Sequence, residues 1–279
     1  MKRISSIAIV GGGNELCKEI YNYVKHDIPK EWAIKYKYSG HGLLTLPLEE
    51  NSSSYQYVME MARKHELNPT VFQKVHYTNA EIDRSAYFEL RIPSPLELEG
   101  TEAADYGTQY VGGCTNPRCR LGKTPVGNVL VDRKFMKKYG IGTLLPDIFV
   151  SEQIRDLIYS NNLTGISFDH DVKDFKGRDM PKFYIMEINS VLPPMASSTW
   201  LVHGEYVHQR YSECGHQVVY LRSDLQYEKE KLYKAKDFNL SSEYVNNDRL
   251  QVIIVSQKVR NIFRQHKIRA GFFPVAIIG

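Results

Sequence analysis

The strongest constraint on the fold is an internal repeat in the second half of the chain. The stretch 150–158, Val-Ser-Glu-Gln-Ile-Arg-Asp-Leu-Ile, aligns without a gap against 255–263, Val-Ser-Gln-Lys-Val-Arg-Asn-Ile-Phe. In both, a serine follows a predicted strand and precedes apolar residues at i, i+3 and i+4, which is typical of a serine-capped amphipathic helix.

The residues around the two aligned stretches extend the repeat. The predicted strands before them are 147–150 and 250–255, and each stretch returns to a glycine-containing strand, 163–168 or 268–275. A short predicted helix precedes each copy, at 132–139 and at 241–247. A helix, strand, helix, strand unit that occurs twice is therefore predicted within a domain over residues 106–279.

Residues 1–92 predict a separate domain. Predicted strands and helices alternate as strand 4–10, a helix from Asn14, a hairpin of 33–38 and 43–48, helix 52–67, strand 71–77, helix 79–85 and strand 86–92. This order suits a small split βαβ sandwich, so the class of the whole chain is predicted to be α+β. A proline-rich start and an acidic continuation predict a linker at 93–105.

Charge and hydrophobicity exclude few classes of function. The chain carries 36 Lys and Arg against 32 Asp and Glu, a net charge of +4 spread along the sequence. The most basic run, 258–269, alternates with apolar residues and indicates the solvated face of a helix, so a nucleic-acid partner is not expected. The apolar run near the N-terminus is too short to cross a bilayer, which predicts a cytoplasmic protein with no membrane partner.

The cysteines lie at the starts of the two predicted copies. Cys114 and Cys119 stand upstream of the first copy and Cys214 upstream of the second, so the two stretches are placed to share one tetrahedral zinc ion. Tyr211 takes the position of the second copy's other thiol, which leaves His216, or alternatively His208, as the fourth ligand. The residues allow a structural Zn²⁺, but the missing cysteine favours a site that no longer binds the metal.

These features together resemble a known group of proteins. Cysteine knuckles ahead of serine-capped helices, with the strands around Leu163-Thr164-Gly165-Ile166 and Gly271-Phe272-Phe273, are similar to the double-CXXCG motif proteins and the immunity-protein families of bacterial polymorphic toxin systems. The similarity covers residues of about 106–279. It implies a non-catalytic protein that binds and neutralises a cognate toxin.

The sequence lacks the catalytic motifs that mark several common enzyme classes. It contains no Gly-x-Ser-x-Gly, His-Glu-x-x-His or deaminase pattern, and Asp169-His170-Asp171 is interpreted as a solvated loop. Tyrosine-rich stretches are the predicted toxin-binding surface, with contacts expected at Tyr106, Tyr110, Tyr206 and Tyr211. The alternative is a zinc-knuckle nucleic-acid-binding protein, suggested by Arg118, Arg120 and Lys123 beside the thiols.

Overall fold

The computed structural model describes residues 2–10, 12–28, 43–92, 106–114, 122–136, 140–144, 147–204, 218–245 and 250–279. Helices and strands are mixed along the chain, so the predicted α+β class is confirmed. The chain divides into two compact units. The first is Met1–Arg84 with Arg222–Asp224, and the second is Ser85–Leu221 with Leu225–Gly279.

The helices are α1 Gly13–Val24, α2 Ser53–Lys64, α3 Asn79–Arg84, α4 Arg133–Met136, α5 Glu152–Ser160 and α6 Gln257–Gln265, with a 3₁₀ helix at Lys229–Leu232. The strands are β1 Lys2–Val10, β2 Leu43–Glu49, β3 Thr70–His76, β4 Tyr87–Arg91, β5 Gln109–Val111, β6 Thr124–Val126, β7 Val129–Val131, β8 Ile141–Leu144, β9 Asp147–Ser151, β10 Ile166–Asp174, β11 Phe183–Ile188, β12 Leu201–Gly204, β13 Val218–Leu221, β14 Gln226–Glu228, β15 Phe238–Val245, β16 Leu250–Ser256, β17 Gly271–Pro274 and β18 Ala276–Ile278. None of the helices in these described ranges has the length and apolar composition needed to cross a membrane.

The first unit is a split βαβ arrangement. Its sheet has the order β2–β1–β3, and β1 is antiparallel to both neighbours. Strands β2 and β3 are therefore parallel to each other, are joined by α2, and have β1 between them. Apolar side chains of β1 and β2 face helices α1 and α2, and the buried core includes Ile7, Leu46, Cys17, Ile20 and Val58. The first strand of the expected hairpin, 33–38, and the linker 93–105 lie outside the described residues.

The second unit contains the same arrangement two more times. In the sheet β7–β10–β11–β9–β8, the parallel strands β9 and β10 are joined by α5 and flank β11. In the sheet β12–β13–β15–β16–β4–β17, the parallel strands β16 and β17 are joined by α6 and flank β4. The run β10–β11–β9–β8 thus matches β17–β4–β16–β15 in order and direction. We call these the first and second split elements.

The helices of the two split elements also match at both ends. Ser151 caps α5 at φ −69° and ψ 158°, and Ser256 caps α6 at φ −69° and ψ 160°. After the helices, Asn162 and Lys267 adopt left-handed backbone conformations, with φ of 48° and 54°. The next amide closes the same turn in each, from Leu163 to the Ile158 carbonyl and from Ile268 to the Phe263 carbonyl.

An arginine at the same helical position lies over an aromatic ring in both split elements. The Arg155 guanidinium is 4.0 Å from the ring centre of Tyr184 on β11, and that of Arg260 is 5.0 Å from the ring centre of Phe88 on β4. Serine caps alone are less distinctive, because Ser52 caps α2 in the first unit in the same way. The stacked arginines therefore strengthen the likeness beyond what helix capping accounts for.

Several expectations from the sequence differ from the structure. The first helix, expected to be capped by Asn14, begins at Gly13 and has no side-chain cap. The helix expected at 241–247 is wrong, because residues 241–245 lie in β15, which pairs with β16, and residues 246–247 lie outside the described residues. The Ser241 hydroxyl, which resembles a helix cap in sequence, instead accepts from the Val252 amide and donates to the Glu243 carbonyl across a bulge. The expected first domain, 1–92, included β4, which the structure places in the second unit because β4 pairs with β16 and β17.

The two serine caps are expected to contribute differently to the free energy of unfolding. Ser151→Ala should lower the free energy of unfolding by about 1 kcal/mol, since Ser151 Oγ accepts from the Ile154 amide. Ser256→Ala should cost about 2–3 kcal/mol, because Ser256 Oγ also donates to Asp237 Oδ1 at 2.7 Å. Urea denaturation of the two variants tests this ranking, and equal losses would show that the Asp237 bond contributes nothing.

Candidate functional site

The predicted zinc knuckle begins at the end of a short hairpin. Strands β5 and β6 pair antiparallel, and Cys114 follows β5 in a half-buried position. The two arms approach closely, because a Cβ on Gly122 would lie 3.2 Å from the Gly113 Cα. The remaining predicted ligands, Cys119, Cys214, His216 and His208, lie outside the described residues, so the zinc site stays a prediction. Among the residues that are described, no group of three or more His, Cys, Asp or Glu is placed to hold a metal ion.

The predicted partner-binding tyrosines fall into different environments. Tyr110 packs against the core of the first split element's sheet, and its hydroxyl donates to Asp147 Oδ2. Burial, and then the charge of Asp147, raise the pKa of the Tyr110 hydroxyl far above its usual range. Tyr110 therefore stabilises the fold and is a poor candidate for a partner contact. Tyr206 and Tyr211 lie outside the described residues.

Tyr106 is the other predicted contact residue that the structure describes. Its half-buried ring lies 4.9 Å from that of Phe175, centre to centre, and Phe175 is itself 37% exposed. The two rings lie beside the turn that follows β10, so an aromatic contact for a partner at Tyr106 stays a prediction.

The acidic triplet lies in a strand and not in a loop. Asp169, His170 and Asp171 belong to β10, where a bulge between Ser167 and His170 interrupts the pairing with β11. Because of the bulge, Asp169 and His170 both approach Glu187, with His170 Nε2 3.5 Å from Glu187 Oε1. The sequence interpretation missed this cluster because a bulge does not show in the alternation of side chains.

The surroundings of Glu187 raise its pKa. Burial is the main cause, and a hydrogen bond and the charge of Asp169 raise the pKa further, while His170 opposes the change. Glu187 therefore takes up a proton more readily than an exposed glutamate does.

Glu187→Gln is expected to change how stability depends on pH. Because the pKa of Glu187 is raised on folding, the native protein holds the proton more tightly, and wild-type stability falls as the pH rises past the ordinary pKa of glutamate. Gln mimics the protonated carboxyl, so the variant should gain stability relative to wild type over the same rise in pH. Urea denaturation at several pH values measures the difference, with Glu230→Gln at an exposed position as the control. A pH-independent difference for Glu187→Gln would contradict the raised pKa.

A groove of about 580 Å³ lies beside α5 and the turn that follows α6. Its apolar lining comes from both split elements and consists of Ile141, Ile154, Leu157 and Ile268. Leu157 and Ile268 are only half-buried, so the groove offers apolar surface to a ligand. We call this the interhelical groove. Its size is within the range of about 300–1,000 Å³ that is typical of binding pockets.

The two split elements contact each other through residues at the ends of their helices. The Lys258 ammonium at the start of α6 donates to the Asn161 carbonyl, which follows α5. Residues His266, Lys267 and Arg269, which follow α6, line the groove together with residues of α5.

The charge around the groove is positive. His266, Lys267 and Arg269 are exposed along one side. The acidic residue of the lining, Asp156, is paired with Arg155 at 2.8 Å. Moreover, residues 250–279 contain no Asp or Glu, so the segment that carries α6 supplies no carboxylate side chain of its own.

The sequence pointed to part of this groove. The solvated basic face expected for 258–269 is exposed at Lys258, Arg264, Lys267 and Arg269. Arg260, a member of the same run, is instead buried, because its guanidinium lies over the ring of Phe88. The sequence interpretation missed that Leu157, expected in the apolar triad of the first helix, faces the groove as well as the core. The available signal was its place at the edge of the apolar stripe, where burial is least complete.

Comparison with known proteins adds no further assignment. No protein-family model matches the chain, and a search of curated proteins finds no match. Function has therefore to be inferred from the chain's own residues.

Proposed function

We propose that this chain is a non-catalytic binding protein, and that it is an immunity protein which neutralises a cognate bacterial toxin in the cytoplasm by covering part of the toxin's surface. The observation that carries the proposal is the interhelical groove, whose half-buried Leu157 and Ile268 lie beside exposed basic residues. An apolar centre with a polar rim is the usual anatomy of a protein-binding surface. The knuckle and the serine-capped helices resemble those of immunity families and agree with this role.

We also infer that the two split elements descend from one duplicated unit. The stacked Arg155 and Arg260 support a common origin, since the corresponding position of α2 in the first unit holds Gln56 and not an arginine. If so, the helices should be exchangeable in part. A variant that carries residues 152–160 in place of 257–265 should still unfold cooperatively, and a chain without a thermal transition would count against duplication.

We propose that the knuckle is a structural zinc site that has lost its metal. Cys114, Cys119, Cys214 and His216 form the proposed set, with His208 as the alternative fourth ligand. Metal analysis of the purified protein, with and without Cys214→Ser, decides the matter. Stoichiometric zinc in the parent protein that the substitution removes would show that the knuckle still binds metal.

The test of function is protection from a toxin. The chain is co-expressed in a bacterial host with each toxin domain encoded beside its gene, and growth is measured. Restored growth, together with a complex that elutes as one species in size-exclusion chromatography, is expected for the cognate toxin. A chain that neither protects nor binds any of these domains would overturn the proposal.

A zinc-knuckle nucleic-acid-binding protein is the second candidate, favoured by the absence of acidic residues from 250–279. Phosphate contacts make such binding steeply dependent on salt. Retention on immobilised polynucleotide at low salt, lost on modest addition of salt, would support this candidate. Failure to bind at low salt would exclude it.

A further inference from the structure

The geometry points to a second binding surface, on the first unit, whose occupant is an arginine side chain from a basic segment of a partner protein. The surface consists of two stacked tyrosine rings and two exposed carboxylates on the same pair of helices. We call it the tyrosine surface and define it by Tyr23, Tyr57, Glu19 and Glu60. The inference goes beyond the proposed function, because it uses neither the interhelical groove nor the zinc knuckle.

One aromatic face of the tyrosine surface is open to solvent. The ring centres of Tyr23, in the last turn of α1, and Tyr57, on α2, are 3.8 Å apart, and the ring planes are inclined by 21°. Tyr57 is half-buried and packs against the core of the first unit, which holds its ring in place. Tyr23 is 57% exposed although Tyr57 covers one face of its ring. The other face of the Tyr23 ring is therefore available to a group that can lie flat on it.

Two carboxylates lie on the same sides of the helices as the tyrosines. Glu19 stands one turn before Tyr23 on α1, and Glu60 stands one turn after Tyr57 on α2. Both carboxylates are exposed, and neither forms an ion pair with a residue in the described part of the chain. The charge of Glu19 reaches the stacked rings, since it raises the pKa of the Tyr57 hydroxyl further after burial has raised it. The stack therefore lies in a negative electrostatic environment.

The basic residues of the two helices stand away from the stacked rings. Lys18 and Lys25 are five residues before and two residues after the tyrosine of α1, which places them on another side of that helix. Arg63 and Lys64 are six and seven residues beyond the tyrosine of α2, at least about 9 Å along the helix axis. The last turn of α1 contains no basic residue, and the carbonyl groups of a helix C-terminus carry partial negative charge. A cation is therefore favoured at this end of α1.

Among cations, the guanidinium group of arginine matches the tyrosine surface best. It is planar, so it can lie flat on the open face of Tyr23 while its edge donates to the Glu19 carboxylate. A lysine ammonium is a strongly hydrated point charge and cannot stack in this way. A nucleic-acid base could stack on the same ring, but its phosphates would be repelled by Glu19 and Glu60. The chemistry therefore favours an arginine of a protein over nucleic acid.

The probe is a short synthetic peptide in which single arginines alternate with glycine and serine. Three comparison probes replace arginine by lysine, replace it by citrulline, which keeps the planar shape without the charge, or are single-stranded oligonucleotides. Binding is followed on the full chain by NMR, through the amide shifts of α1 and α2. Tyr23→Leu removes the aromatic face, Tyr23→Phe keeps it, and Glu19→Gln removes the charge. The matched controls are Tyr233→Leu and Glu230→Gln, at exposed positions of the second unit.

The arginine peptide is expected to shift the amides of α1 and α2 and to bind Tyr23→Leu and Glu19→Gln each about three- to fivefold more weakly. Tyr23→Phe and both controls should bind it as the parent does, and the lysine and citrulline peptides should bind the parent more weakly. Glu19→Gln changes only an exposed side chain, so the test stands even if Tyr23→Leu does not fold.

Four outcomes would each overturn the inference. They are unmoved helix amides at millimolar arginine peptide, undiminished affinity for Glu19→Gln, equal affinity for the citrulline peptide, and tighter binding of the oligonucleotide. Protection from a toxin is measured separately, so failure here would leave the proposed immunity role standing.

Discussion

Replacing Gly165 with alanine is expected to lower the free energy of unfolding of the second unit by about 3–5 kcal/mol. Gly165 has a φ of 89°, which strains any residue that has a Cβ. A Cβ at this position would also overlap the Phe238 carbonyl oxygen and would lie 2.8 Å from the Lys236 Cβ. The backbone oxygen cannot easily move aside, since Phe238 begins β15, which is held in the sheet by pairing with β16.

The loss should appear as faster amide hydrogen exchange in β15 and β16 of the intact chain. Gly177→Ala is the matched control, because Gly177 has a similar positive φ of 68° but nothing within 4 Å of its Cβ position. That control should cost only about 1 kcal/mol. A loss for Gly165→Ala no greater than the control's would show that the close approach to Phe238 is not important for stability.

Replacing Asn239 is expected to have a comparable effect, through hydrogen bonds instead of sterics. The fully buried amide donates to the Lys236 and Ile254 carbonyls, and its oxygen accepts from the Lys236 amide and the Ser190 hydroxyl. Asn239→Ala leaves these groups without their partner and should cost about 3 kcal/mol. Asn239→Asp keeps the shape, but a carboxylate cannot donate to two carbonyls, so it should cost about 3–5 kcal/mol.

Urea denaturation measures both losses. Asn189→Ala is the control, because Asn189 is exposed and its side-chain amide donates to Ser167 Oγ at 3.0 Å. The control should change the free energy of unfolding by less than about 1 kcal/mol. If Asn239→Ala behaved like the control, the network around Asn239 would have to be satisfied in another way.

Local signals predicted where three of the helices begin. Ser52, Ser151 and Ser256 cap helices at the expected residues, because a serine hydroxyl and an apolar periodicity act within a few positions of the chain. Local signals failed for the helix expected at 241–247, where Ser241 lies in a strand. Pairing with β16 decided that segment, since hydrogen bonds between strands outweigh a weak helical preference.

Less of the candidate site than of the fold could be predicted from the sequence. The cluster of Asp169, His170 and Glu187 depends on a bulge in β10, and the interhelical groove joins Leu157 to Ile268, which are distant in the sequence. Neither arrangement leaves a periodic mark on the chain. The knuckle residues Cys119, Cys214 and His216 remain predictions because they lie outside the described residues.

The sequence by itself determined the α+β class and the serine-capped starts of α2, α5 and α6, because these follow from interactions between near neighbours in the chain. Only the tertiary structure decided that β4 completes the second split element, that Gly165 and Asn239 hold the two elements together, and that apolar and basic residues meet in one groove. Such contacts depend on which segments pack together, and packing depends on shape and burial that no local pattern specifies.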